Sequence, residues 1–311
     1  MTLLRAALVV FVFGLGTFLR TFAAAPLPAP PPFDGPLPSA SPPADMAVFQ
    51  VPTGVIHRSA LFAYRGGSYF DKRDFAMTAT LVKHPRGDLL IDTAFGRHLD
   101  AHLGAMPFLF RAITDYTVFQ PAADALVAAG YDPKRLRGIL LTHAHWDHTS
   151  GVADFPDTPV WVTYEERRYI DAAGVLTVVI RTTPGVRYEE YGFGDGPYLG
   201  FPRSRDVYGD GSIVIVPAPG HTPGSVIVFL ALPSGKRYAL VGDLVWQREG
   251  ILEREERSWL WRTLADDDPE GVRTSILRMA AIAARFPDLV VVPAHDRRGF
   301  AEMPVLAAAS R

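Results

Sequence analysis

The amino-acid sequence predicts a layered α/β protein. From about residue 46 onward, short apolar or β-branched runs alternate with stretches of helical periodicity. The predicted strands cluster in two halves of the chain, with helices outside them, which is typical of layered α/β folds. Several strand-like runs also lead into polar residues, where loops braced by a sheet usually carry the chemistry of such folds. These residues are Asp92, Thr142, His221, Asp243 and His295.

The predicted strands are short and rich in Val, Ile, Leu and Thr, which favour a pleated, half-buried backbone. In chain order they are Ala47–Val51, Ala60–Tyr64, Met77–Lys83, Asp88–Asp92, Gly138–Thr142, Pro159–Thr163, Ser212–Pro217, Ser225–Ala231, Arg237–Val241 and Leu289–Pro293.

The strongest helix prediction is Pro269–Arg285. It opens with Asp268 as an N-cap and Pro269 in the first turn, and its apolar positions fall mostly on one face. The other predicted helices are Arg97–Leu103, Ala122–Ala129 and Tyr164–Ala172. We interpret residues 46–311 as one domain, without a second linker inside it.

Residues 1–25 are predicted to be a signal peptide or an N-terminal anchor. Arg5 precedes an apolar run from Ala6 to Leu19, and the small residues Ala23–Ala25 follow. An apolar helix of this length extends for roughly 21 Å, shorter than a bilayer core of about 30 Å, which favours a cleaved signal. The sequence thus predicts a periplasmic or secreted protein, with a membrane-anchored one as the alternative. Residues 26–45 contain nine of the 27 prolines and are predicted to be an extended linker.

Composition excludes several classes of site and partner. The chain has no cysteine, so it has no disulfide, thiolate metal site or cysteine nucleophile. Its formal net charge is −2, whereas proteins that bind the nucleic-acid backbone usually carry a basic surplus. We therefore expect a small-molecule substrate and no nucleic-acid partner. The oligomeric state stays open.

A dense group of metal-ligand side chains directly follows one predicted strand. The segment His143-Ala144-His145-Trp146-Asp147-His148 places three imidazoles and a carboxylate within six residues. Imidazole and carboxylate are natural ligands of zinc where thiolate is absent. More such ligands follow other strands at His221, Asp243 and His295. One four-ligand cluster with further ligands elsewhere favours two metal ions over one.

This ordered set of residues resembles the metallo-β-lactamase-fold superfamily. The motif His143-x-His145-x-Asp147-His148 is followed by His221, Asp243 and His295 in the order and spacing of that superfamily, and Leu90–Ala94 is similar to its element after an early strand. The resemblance covers roughly residues 47–300. It implies an αββα four-layer sandwich with a two-metal site along one edge.

The resemblance also implies a role for each residue. The first metal would be held by His143, His145 and His221, and the second by Asp147, His148 and His295. Asp243 would bridge both ions. Asp92 would contact a ligand or its loop from behind, or else serve only as a turn former at the strand end. We expect two divalent ions per chain, zinc first, with iron or manganese as alternatives that accept the same ligands.

Such a centre indicates hydrolysis by a metal-bridging hydroxide without a protein nucleophile, with Asp147 orienting the attacking oxygen. Gly-x-Ser-x-Gly, the usual elbow of a serine nucleophile, is absent from the sequence. True β-lactamases of the fold generally lack the aspartate that the resemblance places at Asp243, so we do not expect a β-lactamase. We predict a lactone or ester substrate. The alternatives are a phosphoester or organophosphate hydrolase, and an iron-dependent redox enzyme of the same fold.

Aromatic residues are predicted to line the substrate pocket, because apolar walls suit an acyl or aryl group. The candidates are Phe108, Phe110 and Trp246. Acyl-homoserine lactonases, which this sequence resembles in ligand set and in length, carry a tyrosine three residues after the bridging aspartate, and here that position is Trp246. An indole is no acid at neutral pH, so the group that protonates the leaving group stays open.

Overall fold

The computed structural model describes residues 14–172 and 174–307. Its strands form two sheets. The seven-stranded sheet has the order β4-β1-β2-β3-β5-β6-β7 and the five-stranded sheet the order β12-β11-β10-β9-β8. The strands are β1 (Ala47–Ser59), β2 (Lys72–Lys83), β3 (Asp88–Ile91), β4 (Asp115–Val118), β5 (Leu136–Leu140), β6 (Val160–Thr163), β7 (Tyr188–Tyr191), β8 (Arg205–Asp206), β9 (Ile213–Pro217), β10 (Val226–Ala231), β11 (Arg237–Gly242) and β12 (Leu289–Pro293).

Each sheet combines antiparallel and parallel pairs. In the larger sheet β4, β1, β2 and β3 pair antiparallel, whereas β3, β5, β6 and β7 pair parallel. In the smaller sheet β8 to β11 pair antiparallel, and β12 lies parallel to β11. The carboxyl ends of parallel neighbouring strands lie at the same edge of a sheet. The loops that follow β3 and β5 therefore begin close to each other, as do the loops that follow β11 and β12.

In the described part of residues 46–307, the helices are short apart from one. They are α1 (Ala60–Ala63), α2 (Leu99–Gly104), α3 (Phe108–Ala112), α4 (Ala122–Ala128), α5 (Trp146–Thr149), α6 (Tyr164–Ala172), α7 (Val178–Thr182), α8 (Glu249–Leu252), α9 (Trp259–Ala265), α10 (Pro269–Arg285) and α11 (Arg297–Phe300). The long helix α10 begins as predicted, with the Asp268 side chain accepting a hydrogen bond from the backbone N–H of Glu270.

Three stacked apolar clusters show that the fold has four layers. The central cluster lies between the sheets and joins Leu89 of one to Val228 of the other. A second cluster packs the outer face of the larger sheet against α4 and α6, and a third packs the outer face of the smaller sheet against α10. Burial of apolar surface in these three layers drives the stacking. The predicted αββα four-layer sandwich is confirmed.

One predicted element has the wrong type. Residues 60–64 were predicted as a strand but form α1 in the connection from β1 to β2, with the backbone N–H of Tyr64 bonded to the carbonyl of Ala60. A short apolar run fits a strand and a buried helical turn equally well, and only the position in the fold distinguishes them.

Several elements were not predicted from the sequence. The edge strand β4 is largely exposed and lacks the apolar alternation of a half-buried strand, as does β7 at the opposite edge. The short strand β8 and the short helices α3, α5, α7, α8, α9 and α11 were missed as well. Strands β1 and β2 extend beyond their predicted ends, to Ser59 and back to Lys72.

The proline-rich segment has no helix or strand, and it packs against the domain. The backbone N–H of Leu27 donates to the carbonyl of Arg254 at 2.9 Å, and that of Ser41 donates to Asp210 at 2.7 Å. Phe33 meets Phe286 edge to face. Residues 1–13, which hold much of the predicted signal or anchor, lie outside the described residues. Within residues 14–172 and 174–307, no helix combines the length and apolarity that crossing a membrane requires.

Candidate metal centre

The predicted ligands meet at the edge where the two sheets approach each other. His143 and His145 lie in the loop after β5, and Asp147 and His148 lie in the one-turn helix α5 that follows. His221 lies in the turn between β9 and β10, whereas Asp243 and His295 directly follow the parallel strands β11 and β12. The backbone N–H of Val226 donates to the carbonyl of Thr142 at 3.0 Å and ties the two sheets together here.

The seven side chains form overlapping groups with their ligand atoms within 4.8 Å of one another. One group is His143, His145 and His221, and a separate group is Asp147, His148 and His295. A third group, His143, His148 and Asp243, connects the two. Six of the seven residues are buried, and Asp147 is partly exposed, with 13% of its side-chain surface accessible.

Four of the histidines are hydrogen-bonded through one ring nitrogen to a neighbour outside the centre. Nδ1 of His148 donates to Asp92 at 2.9 Å, Nδ1 of His221 to Asp266 at 2.9 Å, and Nδ1 of His295 to the carbonyl of Ala76 at 2.9 Å. Nε2 of His145 is hydrogen-bonded to the hydroxyl of Tyr169 at 3.2 Å. A ring nitrogen held in this way leaves the lone pair of the other nitrogen for a metal.

The nitrogens that face inward have few partners. Nε2 of His143, His148 and His221 and Oδ1 of Asp243 are buried without a hydrogen-bond partner. Nε2 of His148 lies 3.2 Å from Oδ1 of Asp243 but is not aligned to bond it. Buried polar atoms without partners are costly unless something satisfies them. These orphaned atoms, of the types that zinc prefers, fit a divalent cation.

Electrostatics divides the histidines into two kinds. Burial, together with the neighbouring imidazoles, holds the pKa of His143 and His145 well below the ordinary value, so both are neutral. Burial also acts on His148 and His295, but the carboxylate of Asp243 outweighs it and raises the pKa of both. These histidines in turn hold the pKa of Asp243 well below its usual range, against the effect of burial. The carboxylate is therefore ionised.

Asp92 contacts the centre from behind. Its Oδ2 accepts hydrogen bonds from Nδ1 of His148 and from the hydroxyl of Thr142, at 2.9 and 2.7 Å, and its Oδ1 accepts from the backbone N–H of Thr142 at 2.8 Å. Asp92 thus joins the end of β3 to the loop after β5. This placement combines the two roles considered for it, since it turns the chain and also orients a candidate ligand.

Sequence reasoning missed the partners of His221. Asp266 is buried between Nδ1 of His221 and the guanidinium of Arg257, and both bond its Oδ1. Arg257 is buried too and donates to the backbone carbonyl of Asp243 at 2.9 Å. In the sequence, Arg257 ends the charged run Glu253-Arg254-Glu255-Glu256-Arg257. A run of charged residues does not indicate which of its side chains is buried in the folded protein.

Glu166 was also missed, although it links two ligand loops. Its carboxylate accepts from the backbone N–H of Ala144 at 2.6 Å, from the hydroxyl of Thr222 at 2.7 Å and from the N–H of Gly224 at 3.0 Å. Ala144 stands between His143 and His145, and Thr222 follows His221. Burial raises the pKa of Glu166 to about 7. A single carboxylate on α6 thereby holds the two loops in one arrangement.

The three predicted pocket residues have different surroundings. Trp246 is partly buried, and its Nε1 donates to Oδ2 of Asp243 at 2.8 Å. Phe110 packs edge to face on Trp146, with ring centres 5.7 Å apart, and belongs to an apolar cluster that includes Phe75. Phe108 is 76% exposed and does not join this cluster, because it lies on the solvent side of α3.

A family profile and several known proteins match this chain. Residues 74–295 match the profile described as the Metallo-beta-lactamase superfamily. A protein of Mycobacterium tuberculosis named as a probable metallo-hydrolase is 32% identical over 230 residues, which are 70% of this chain and 73% of that protein. The N-acyl homoserine lactonase AttM of Agrobacterium fabrum is 26% identical over 225 residues, covering 70% of this chain and 80% of that one.

Solved structures of similar fold include lactonases. An N-acyl homoserine lactone hydrolase, with the product N-hexanoyl-L-homoserine at its catalytic metal centre, superposes with a TM-score of 0.66 at 18% identity, over 86% of this chain and 98% of that one. AidC, a dizinc quorum-quenching lactonase, superposes with a TM-score of 0.57 at 17% identity, over 83% and 90%. At this level of identity the similarity is one of fold.

Proposed function

The chain belongs to the metallo-beta-lactamase superfamily and is a metal-dependent hydrolase, and we propose that it uses two metal ions to hydrolyse a lactone or an ester. The observation that carries the proposal is the division of the ligand atoms. The group of His143, His145 and His221 shares no member with the group of Asp147, His148 and His295. Asp243 lies between them. Nε2 of His148 is 3.2 Å from Oδ1 of Asp243, and Nε2 of His221 is 3.5 Å from its Oδ2. Two groups with a carboxylate between them suit two cations better than one.

We propose zinc as the native metal, with His143, His145 and His221 at one site, Asp147, His148 and His295 at the other, and Asp243 between them. Neutral imidazoles and ionised carboxylates are the forms in which these side chains bind a cation. When bound, two such cations supply Lewis acidity to a carbonyl oxygen and acidify water. Iron and manganese accept the same ligand types.

Asp147 is the side chain we assign to the attacking water. It is the most exposed of the seven candidate ligands, and its Oδ2 lies 3.4 Å from Nε2 of His295. A carboxylate at the solvent side of a buried cluster can bind a water and orient one of its lone pairs toward the substrate. It can also take a proton from that water as the carbonyl carbon is attacked.

The surroundings of the centre favour an apolar acyl group. Phe75, Met77 and Trp146 are buried beside it, and Phe110 and Trp246 pack against them. Such a wall gains free energy from covering a hydrocarbon chain, at about 25 cal/mol per Å² of apolar surface removed from water. The relation to proteins named N-acyl homoserine lactonases supports the same substrate class.

Metal analysis combined with a substrate panel tests this proposal. Residues 1–311 are expressed, and the purified protein is assayed for zinc, iron and manganese and for hydrolysis of lactones, carboxylic esters and phosphotriesters. We expect about two zinc ions per chain and turnover of a lactone or ester, since two ligand groups are present.

The matched variants are Asp147→Ala and Asp157→Ala. The first removes the carboxylate of the centre, and we expect it to lower kcat at least 100-fold, whereas the second removes an exposed carboxylate nearby in the chain and leaves kcat unchanged. One iron per chain without hydrolysis would contradict the proposal and favour a redox enzyme. Turnover of phosphotriesters alone would assign a different substrate class to the same centre.

A further inference from the structure

The indole of Trp246 bonds the carboxylate that lies between the two ligand groups. Its Nε1 donates to Oδ2 of Asp243 at 2.8 Å. The two oxygens of that carboxylate are not equivalent. Nε2 of His221 lies 3.5 Å from Oδ2, and Nε2 of His148 lies 3.2 Å from Oδ1, whereas Nε2 of His295 lies 3.1 Å from Oδ1 and 3.2 Å from Oδ2. A donor on Oδ2 therefore helps to set how the carboxylate is turned between His221 and His148.

The indole is itself held on several sides. Its ring packs edge to face on Phe75, with centres 6.4 Å apart, and at a tilt on Trp261 at 6.3 Å. The guanidinium of Arg257 lies 5.0 Å from its centre, within the range of a cation–π contact. Because these contacts fix the ring, the N–H points in one direction without a large entropic cost on bonding.

The backbone and side chain of Asp243 are fixed by two neighbours that contact each other. Arg257 donates to the carbonyl of Asp243 at 2.9 Å and pairs with Asp266, which in turn holds Nδ1 of His221. Trp246 lies under Arg257 and bonds the carboxylate. Orientation of a ligand by a bonded neighbour commonly changes metal affinity 10- to 100-fold.

We propose that Trp246 is a positioning residue that sets the orientation of the Asp243 carboxylate for both metal ions. This inference rests on the proposed two-metal centre. It adds a second role to the expected place of Trp246 in the pocket wall, since its one polar hydrogen is directed at Asp243. The indole N–H is consequently not available to the leaving group of a substrate.

Metal binding, measured without any substrate, tests the proposal. The variants are Trp246→Phe, which keeps an aromatic ring but loses the N–H, and Trp259→Phe, which makes the same change at an indole of α9 that is 51% exposed. Binding of Co²⁺ is followed by competition with a chelator and by the visible absorption of the bound ion. We expect W246F to bind at least one Co²⁺ about 10-fold more weakly with an altered spectrum, and W259F to match the wild type.

A second measurement uses the unsubstituted protein. Its five tryptophans give five indole N–H signals in a ¹⁵N-labelled sample, and the Trp246 signal is assigned from single Trp→Phe variants, of this residue or of the other four. We expect that signal to shift on titration with Zn²⁺. Unchanged Co²⁺ affinity and spectrum in W246F, or a Trp246 signal that Zn²⁺ does not move, would overturn the proposal. Neither readout depends on catalysis, so a wrong substrate class would not affect it.

Discussion

The carboxylate of Asp92 lies 2.9 Å from Nδ1 of His148, although 55 residues separate the two in the chain. Asp92 also bonds both the backbone and the side chain of Thr142, so it joins the ends of two parallel strands to a candidate ligand. Its φ angle is 54°, in the left-handed region that aspartate and asparagine tolerate better than most residues. The backbone of Asp92 therefore turns the chain at the end of β3, and its carboxylate bonds this turn to Thr142 and His148.

The first prediction concerns this carboxylate. Asp92→Asn keeps the left-handed backbone favourable but weakens the bond to His148, because a neutral amide is a poorer acceptor than a carboxylate. We expect zinc affinity to fall 10- to 100-fold, as measured by competition with a chromophoric chelator. Asp88→Asn is the control, since Asp88 is equally buried but bonds the backbone of His84 and the hydroxyl of Tyr131. Equal zinc affinity in both variants would contradict the role of Asp92.

The second prediction concerns the link between the two ligand loops. Both carboxylate oxygens of Glu166 accept hydrogen bonds, one from Ala144 and the other from Thr222 and Gly224. In Glu166→Gln an NH₂ group replaces one of these oxygens, so a donor then faces a donor. We expect the free energy of unfolding to fall by about 1–3 kcal/mol, as measured by urea denaturation, and zinc affinity to fall with it. Glu165→Gln alters the exposed neighbour on the same helix and should change neither quantity. A stable variant with normal zinc affinity would show that the loops hold their positions without Glu166.

The third prediction concerns stability in acid. Burial opposes ionisation of Glu249, but hydrogen bonds from Arg298 and Arg73 outweigh it and lower its pKa from 4.5 to about 2. Because the folded-state value lies below the unfolded one, the stabilisation is complete above about pH 4.5 and is lost as the pH falls toward 2. We expect Glu249→Gln to be less stable than wild type by about 3 kcal/mol at pH 6, with the difference shrinking toward pH 2.

Urea denaturation between pH 2.5 and 6 measures that difference. Glu270→Gln is the matched control, because Glu270 pairs with Arg273 but is 75% exposed, and solvent screens such a pair. Its stability difference from wild type should stay near zero across the same pH range. A pH-independent deficit in E249Q would show that lost packing, and not the ionised carboxylate, accounts for the change.

The fourth prediction concerns metal removal. The inward-facing nitrogens of His143, His148 and His221 have no hydrogen-bond partner, so a cation that satisfies them binds the folded state and not the unfolded one. At a free concentration one hundred times Kd, one site adds about 2.7 kcal/mol, which raises Tm by roughly 5 °C. We expect a chelator to lower Tm and Zn²⁺ to restore it. Mg²⁺, which prefers oxygen ligands, is the control and should restore little. A Tm independent of chelator and Zn²⁺ would argue against a metal centre.

Much of the fold could be predicted because its core elements have strong local patterns. Strand β12 and helices α6 and α10 have their predicted bounds, since each is a distinct apolar run or an amphipathic stretch with end signals. Edge elements such as β4 and β7 could not be predicted in this way. Their pairing with β1 and β6 is decided by neighbours far away in the chain, and little apolar surface marks them.

The sequence by itself determined the candidate ligands, because imidazole and carboxylate groups packed this densely after a strand have few roles other than metal binding. It also determined the layered α/β class, through the periodicity of its apolar residues. Only the tertiary structure decided what surrounds those ligands. Three residues, Asp266, Glu166 and Tyr169, each form a hydrogen bond to a candidate ligand or its loop from 20 or more residues away in the chain. The indole N–H of Trp246 points toward the carboxylate of Asp243. Such contacts depend on how separate elements pack, and no local pattern in a chain encodes the direction in which a single buried side chain points.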